Sequence, residues 1–198
     1  MTFTHLHVAS GFSLQYGTAT PQALAERAAE FGQPIMGLTD RDGLYGAVRW
    51  ALACRAAGIG AVLGVDLAME ETSPALPPSG RHDPRRSPAR GGTWIDETRP
   101  RALLLAADAR GWASLCRLVS AAHTGDHTHR GLPWLPWSAL REHHEGVVAL
   151  LTAASEVGRL IATQRAYRAE AAARPWRAIF GRRLGVAVTS HRTAGRHR

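Results

Sequence analysis

Short apolar segments alternate with longer amphipathic segments along most of this 198-residue chain. The apolar segments have the length of buried strands, and the amphipathic ones carry apolar residues at helical spacing. This alternation favours a parallel α/β architecture over an all-α or all-β one. The sequence predicts six strands, at residues 3–8, 34–39, 61–67, 101–106, 146–151 and 184–188.

Helix-start and helix-stop signals fall between these strands. Thr20 can cap a helix whose first residue is Pro21, and Gly32 suits the end of that helix. Similar signals predict further helices at residues 45–57, at 109–123 with Asp108 as the cap, and at 155–180 with an interruption at Pro175.

Residues 71–100 break the pattern, since they contain six prolines and three glycines. A segment of this composition is typical of a surface excursion that is partly mobile. We therefore expect one α/β unit built from residues 1–70 and 101–198, with a loop excursion at 71–100 that is dispensable for the fold.

Composition narrows the cellular setting. No apolar run of 18 residues is present, so no membrane span is predicted. The first residues lack a basic region followed by an apolar stretch, which argues against a secretory signal. Cys54 and Cys116 lie in helix-like stretches and are expected to be small buried thiols rather than a disulfide or a metal pair. A reducing, cytoplasmic setting fits these features.

The net charge of +8 is unevenly distributed. Residues 159–198 contain ten arginines and one acid, Glu170. One interpretation is an electrostatic footprint for the phosphate backbone of DNA, and the other is a set of solvated helix faces. The chain contains no lysine and no asparagine, which suggests a GC-rich genome and attributes part of the arginine content to codon usage.

Four polar residues stand at predicted strand ends. His5 and His7 lie two apart, so their side chains share one face, while Asp40 and Asp66 close the second and third strands. In a β/α barrel the carboxyl ends of the strands meet at one rim. Imidazole and carboxylate groups there would suit zinc, manganese or iron. Surface or capping roles are the alternative for each residue.

Three sequence blocks resemble the opening of the PHP domain of bacterial C-family DNA polymerases. They are FTHLHVASGFSL, LTDRDGLYGAVRWALACRAAGI and VLGVDL, and residues 109–123 and 145–161 extend the resemblance. It is closest to the error-prone type of polymerase III alpha subunit, which implies a link to DNA replication, repair and translesion synthesis. The resemblance further implies a distorted seven-stranded β/α barrel, here incomplete, with the remainder of a polymerase polypeptide as its partner. The palm carboxylates that hold magnesium in full-length polymerases are not found, so no polymerase activity is expected from this chain alone.

The resemblance also implies a metal site, and this chain departs from its pattern. Asp66 stands where a glutamate is usual. The other departures are Ala9, Arg41 and Arg101 at positions of frequent histidines, Tyr16 at the position of an acid and Ala153 at that of a cysteine.

Two functions follow from these features, and the enzymatic status stays open between them. The first is a structural or vestigial PHP module in which arginines neutralise the acids that would bind metal. The second is a metal-dependent phosphoesterase that uses zinc or manganese, as a 3′–5′ exonuclease, a pyrophosphatase or a histidinol-phosphatase-like enzyme. The departures lead us to expect weak or no metal binding.

Overall fold

A computed structural model describes residues 3–72, 99–124 and 133–188. In these ranges five strands form one sheet in chain order: β1 Ile35–Arg41, β2 Gly60–Ala68, β3 Arg101–Ala106, β4 Val147–Leu151 and β5 Leu184–Val186. The helices are α1 Pro21–Glu30, α2 Ala47–Ala56, α3 Ala109–Thr124, α4 Trp137–Glu142, α5 Glu156–Ala162 and α6 Ala166–Phe180, and a 3₁₀ turn covers Gly181–Arg183. The predicted excursion at 71–100 falls almost entirely outside the described residues, and its dispensability stays a prediction.

The sheet is mixed, because β3 runs against both of its neighbours. β1 pairs with β2 and β4 with β5 in parallel, whereas β3 is antiparallel to β2 and β4. The parallel arrangement expected from the sequence therefore holds for the other strand pairs and not for β3. The chain returns at the edge where it left, since the Met69 N–H donates to the Pro100 carbonyl at 2.8 Å. Arg101, the first residue of β3, consequently pairs with Ala68 at the end of β2.

We call this edge of the sheet the rim. It is formed by the carboxyl ends of β1, β2, β4 and β5 and by the amino end of β3. The reversal of β3 puts the start of that strand, rather than its end, among the groups where chemistry is expected in β/α folds.

The first predicted strand, residues 3–8, is not a regular strand. It follows the outer edge of β1, where the N–H groups of Gly37 and Thr39 donate to the carbonyls of His5 and Val8 at 2.7 and 2.8 Å. The two acceptors are three residues apart in this segment, whereas the two donors are two residues apart in β1. Such a mismatch interrupts the regular pattern of hydrogen bonds between strands. The Val8 N–H donates instead to the Thr39 hydroxyl at 3.2 Å.

Local capping signals are confirmed at two helices. The Thr20 side chain accepts from the Ala23 N–H at the start of α1, and Gly32 adopts a φ of +65° just beyond its end. The Asp108 carboxylate accepts from the Gly111 N–H at 2.8 Å at the start of α3. These contacts satisfy backbone groups that the first turn of a helix leaves unpaired.

Two helix predictions need correction. The break within residues 155–180 falls at 163–165, between α5 and α6, and not at Pro175, which lies inside α6. Gln164 has a left-handed φ of 57° there, which is incompatible with a continuous α-helix. Helix α4 was not predicted; the N–H of its first residue, Trp137, donates to the Glu70 carboxylate at 2.9 Å.

Two apolar clusters pack the sheet. The larger joins β2, β3 and β4 to α3, α4 and α6, and the smaller joins β1 to α1 and α2. Cys54 is fully buried in the smaller cluster, and burial raises the pKa of its thiol to about 11. Cys116 is half-buried, and neither cysteine forms a disulfide. Of the helices described above, none has the length and apolar character needed to span a membrane.

Candidate functional site at the rim

One guanidinium joins two acids at the centre of the rim. Arg101 donates from Nε to Asp66 Oδ1 at 3.0 Å and from Nη2 to Asp42 Oδ1 at 2.8 Å. The same Nη2 donates to the Asp66 carbonyl at 2.7 Å. Arg101 is 4% exposed and Asp66 is 7% exposed, so this ion pair is almost free of solvent screening.

Asp42 is the site residue that sequence reasoning did not single out. It follows the end of β1 with a left-handed φ of 56°, and its N–H donates to the Asp66 carbonyl at 2.9 Å. Its signal was the Asp42–Gly43 pair, a turn dipeptide directly after a strand. The turn returns the Asp42 carboxylate towards β2, which strand alternation alone would not predict.

The Asp40 carboxylate is hydrogen-bonded to the loop that contains Ser10 and Ser13, instead of facing the other acids. Its carboxylate accepts from the Ser10 N–H at 2.7 Å and from the Ser10 and Ser13 hydroxyls at 2.7–3.0 Å. The Ser13 hydroxyl in turn accepts from the Arg41 N–H at 2.9 Å. Asp40 is 2% exposed, so these donors replace the water that a buried carboxylate loses.

The two histidines separate at the rim. His7 Nε2 lies 3.8 Å from Asp66 Oδ2, and the His7 side chain is 45% exposed. The His5 ring is exposed and packs edge-on against Phe3, with 4.8 Å between the ring centroids. The fold thus brings His7 and Asp66 together, while no hydrogen bond or ion pair joins the His5 side chain to either of them in the described part of the chain.

The positions that depart from the family pattern have distinct surroundings. The Arg41 guanidinium lies over the Tyr16 ring at 3.8 Å from its centroid, a cation–π contact. Ala9 and Ala153 contribute only methyl groups. Of the two rim arginines, only Arg101 is hydrogen-bonded to the acids, and Arg41 stands beside the pair on an aromatic face.

Burial and the neighbouring charges shift the pKa values of Asp66 and Arg101 in opposite directions. Burial alone would raise the pKa of Asp66, but Arg101, the His7 contact and Arg41 outweigh it and hold that pKa below its ordinary value. Burial would lower the pKa of Arg101, but Asp66 and Asp42 raise it above the ordinary value. Burial and the neighbouring Arg101 lower the pKa of Arg41. Asp66 and Arg101 are therefore both charged at neutral pH.

The donor set does not fit a divalent cation as it stands. Within residues 3–72, 99–124 and 133–188, no three histidine, cysteine, aspartate or glutamate side chains converge as metal ligands. The Asp66 and Asp42 carboxylates are bonded to Arg101, and the Asp40 carboxylate is bonded to two serines. A zinc-type site needs at least three protein ligands that are free to coordinate.

Comparison with known proteins identifies the family. The chain matches the PHP domain family over residues 5–191. It belongs to the PHP domain family. It is 32% identical over 193 residues to an error-prone DNA polymerase of Anaeromyxobacter dehalogenans, with 98% of this chain aligned. It is 31% identical over 182 residues to the DNA polymerase III subunit alpha of Treponema pallidum, with 91% aligned. The chain spans 14% of the length of each of these relatives.

A solved structure supports the PHP-type α/β fold. A protein of Bifidobacterium adolescentis described as a metal-dependent phosphoesterase shares a TM-score of 0.51 with this chain at 12% identity. The superposition covers 94% of this PHP chain and 86% of the other protein. Identity this low makes it a likeness of fold alone. The expected fold class and the expected resemblance to polymerase PHP domains are both confirmed.

Proposed function

We propose that this chain is a non-catalytic PHP module of a polymerase III alpha-like, error-prone type of protein, in which the Arg101 ion pair takes the structural place of a metal. The remainder of such a polypeptide would be its partner, in DNA replication or repair. The observation that carries this proposal is the guanidinium of Arg101, bonded at once to Asp66 and Asp42. The free cysteines suit a reducing cytoplasm, which is part of the proposal.

Electrostatics supports this role over a catalytic one. A divalent ion beside Asp66 would stand next to a buried, fixed positive charge, and two like charges a few ångströms apart repel strongly where water is excluded. The ion would also have to replace the charge-assisted hydrogen bonds that Arg101 donates. Loss of Arg101 would leave a buried carboxylate without its counterion and would lower the stability of the folded protein, so the fold depends on this guanidinium.

The metal content of the purified protein tests the proposal. We expect wild type to hold less than stoichiometric zinc or manganese by elemental analysis. It should not hydrolyse bis-p-nitrophenyl phosphate or a 3′-labelled oligonucleotide in either metal. Arg101→Ala frees the two acids and should raise the metal content, whereas the matched control Arg110→Ala, which removes an exposed arginine from a separate ion pair, should not. Stoichiometric metal in wild type, with hydrolysis that His7→Ala abolishes, would reject the non-catalytic role.

A metal-dependent phosphoesterase is the second candidate, favoured by the proximity of His7 to Asp66 and by the fold likeness. It requires the Arg101 side chain to leave both acids when metal enters. Hydrolysis assays with an oligonucleotide, with pyrophosphate and with a small phosphate monoester would then distinguish an exonuclease, a pyrophosphatase and a histidinol-phosphatase-like enzyme. Titration calorimetry with zinc or manganese would detect this exchange as binding that Arg101→Ala strengthens many-fold.

Polymerase activity is not expected from the chain on its own, and primer extension by the purified protein would contradict this. Contact with DNA through residues 159–198 is a separate part of the proposal. It concerns α6 and the turn after it, and not the rim.

A further inference from the structure

Positive charge is concentrated on α6 and the turn that follows it. Residues 164–188 contain six arginines and one acid, Glu170, whereas the other described residues contain ten arginines and eleven acids. Codon usage raises the arginine content everywhere, so it does not explain why the excess collects in one surface segment. The segment therefore calls for an explanation of its own.

Several arginines elsewhere have partners that neutralise or fix them. Arg27 pairs with Glu30, Arg101 with two acids and Arg110 with Glu145. The six arginines of 164–188 form no ion pair with any other residue that the structure describes, and they are closer together in the chain than the other described arginines. The four most accessible members of this group are Arg168, Arg174, Arg177 and Arg182.

Arg159 is not part of the exposed basic surface, although it lies in the arginine-rich region 159–198. Arg159 is 5% exposed, and its Nη2 donates to the Arg99 carbonyl. Its charge is thus engaged inside the protein and is not presented to a polyanion. The exposed basic surface begins at α6.

The orientation of α6 is fixed by its opposite face. Trp176 and Phe180 are buried with ring centroids 5.9 Å apart, and three alanines of α6 are also buried. Tyr167 and Arg174 lie seven residues apart, which is about two turns, so they share a face. Tyr167 is 75% exposed, and the Arg168 guanidinium stands 6.0 Å from its ring centroid.

We propose that α6 and the Gly181–Arg183 turn bind nucleic acid, with a preference for single strands. Arginine forks suit phosphate oxygens, and an exposed aromatic ring offers a face on which a base can stack. Arg174, Arg177 and Arg182 would contact the backbone, and Tyr167 would stack. The inference rests on the DNA contact proposed above for this region and narrows it to single strands and to these residues, and it does not depend on whether the rim binds metal.

Salt-dependent binding of labelled DNA tests this surface. The probe is a fluorescein-labelled oligothymidylate of about 20 nucleotides, long enough for an ordinary single-strand site, with a duplex of equal length for comparison. In anisotropy titrations the triple variant R174Q/R177Q/R182Q should bind the oligothymidylate about tenfold more weakly or worse. The slope of log K against log salt should become less negative by about 2, since each lost contact to a single strand contributes about 0.7.

The matched control carries the same loss of charge elsewhere. R55Q/R110Q/R117Q removes three exposed arginines from α2 and α3 and should leave the slope unchanged. Equal losses in both triple variants would overturn the proposal, because binding would then depend on net charge alone. Glu170→Arg should tighten binding, since it removes the acid that lies among the arginines.

Tyr167→Ala tests the single-strand preference. It should weaken oligothymidylate binding about fivefold or more, as loss of one stacked base does, and leave duplex binding unchanged. Tighter binding to duplex than to single strand in wild type, or no salt-dependent binding to either, would overturn the proposal. The triple variant R174Q/R177Q/R182Q should leave the metal content of the protein as in wild type, so a failure at this surface is distinguishable from a failure at the rim.

Discussion

Arg101 donates to Asp66 from the neighbouring antiparallel strand, although 35 positions separate the two residues in the chain. The contact joins the start of β3 to a residue near the end of β2, and the same guanidinium reaches Asp42 after β1. Three successive segments of the rim are thus connected by one side chain.

Arg101→Ala should destabilise the protein by about 3–5 kcal/mol, the usual cost of removing one partner of a buried ion pair. Asp66 would be left charged and buried without its main counterion. Urea unfolding at neutral pH measures the change. Arg110→Ala breaks an exposed pair and should cost about 1 kcal/mol or less. A similar, small cost for both variants would show that the Arg101 pair is not structural.

The ion pair should also make stability depend on acid pH. Because the pKa of Asp66 is held low by its surroundings in the folded state, the unfolded chain binds this proton more readily. The stabilisation is present above about pH 4, the ordinary range of an aspartate, and is lost as the pH falls through the lower folded pKa.

Asp66→Asn should therefore weaken the dependence of the unfolding free energy on pH in the acid range. The unfolding free energy of wild type should fall more steeply below about pH 4 than that of Asp66→Asn. Glu145→Gln, which changes an exposed carboxylate, is the control and should follow wild type. Parallel curves for wild type and Asp66→Asn would contradict the assigned direction of the pKa.

Asp40→Ala should destabilise the protein by about 1–3 kcal/mol, because buried donors of Ser10 and Ser13 lose their acceptor. Glu26→Ala, an exposed carboxylate on α1, should have little effect. Thermal unfolding is measured with and without added zinc. A rise in the melting temperature of wild type with zinc that Asp40→Ala abolishes would instead make Asp40 a metal ligand.

Gly111→Ala sets helix propensity against packing. Alanine is more favourable than glycine by about 1 kcal/mol in a helix interior, and this is the most that a substitution at Gly111, in the first turn of α3, could gain. At Gly111, however, the added carbon would overlap the carbonyl of Gly146, and overpacking costs about 1–3 kcal/mol. We expect a net loss of stability in urea unfolding, whereas Ser120→Ala on the same helix should be near neutral. A more stable Gly111→Ala would show that this approach can relax.

Sequence reasoning succeeded where the interacting groups are close in the chain. Thr20 and Asp108 cap helices through N–H groups three residues ahead of them, so the donor and the acceptor are both visible in one short window. The bounds of β3 were likewise predicted from one apolar run. Local signals of this kind fix where elements begin and end.

Reasoning failed where the result depends on which strands become neighbours. Arginines were expected to neutralise the acids, and Arg41 and Arg101 were the two candidates, but their different roles could not be predicted. Arg41 is next to Asp40, and neighbours on a strand point to opposite faces. Arg101 makes the contact with Asp66 because β3 is reversed and starts beside the end of β2. Asp42 was missed for a related reason, since its turn depends on a left-handed backbone.

Because β3 is reversed, the connection between β2 and β3 begins and ends at the same edge of the sheet. The chain leaves the sheet after Ala68 and re-enters at Arg101, and these two residues are paired. A change in the length of the connection would leave the register of the two strands as it is, because the pairing of Ala68 with Arg101 fixes both of its ends beside the rim. Such a change would alter the surface above Asp66 and Arg101 while the sheet beneath stays constant.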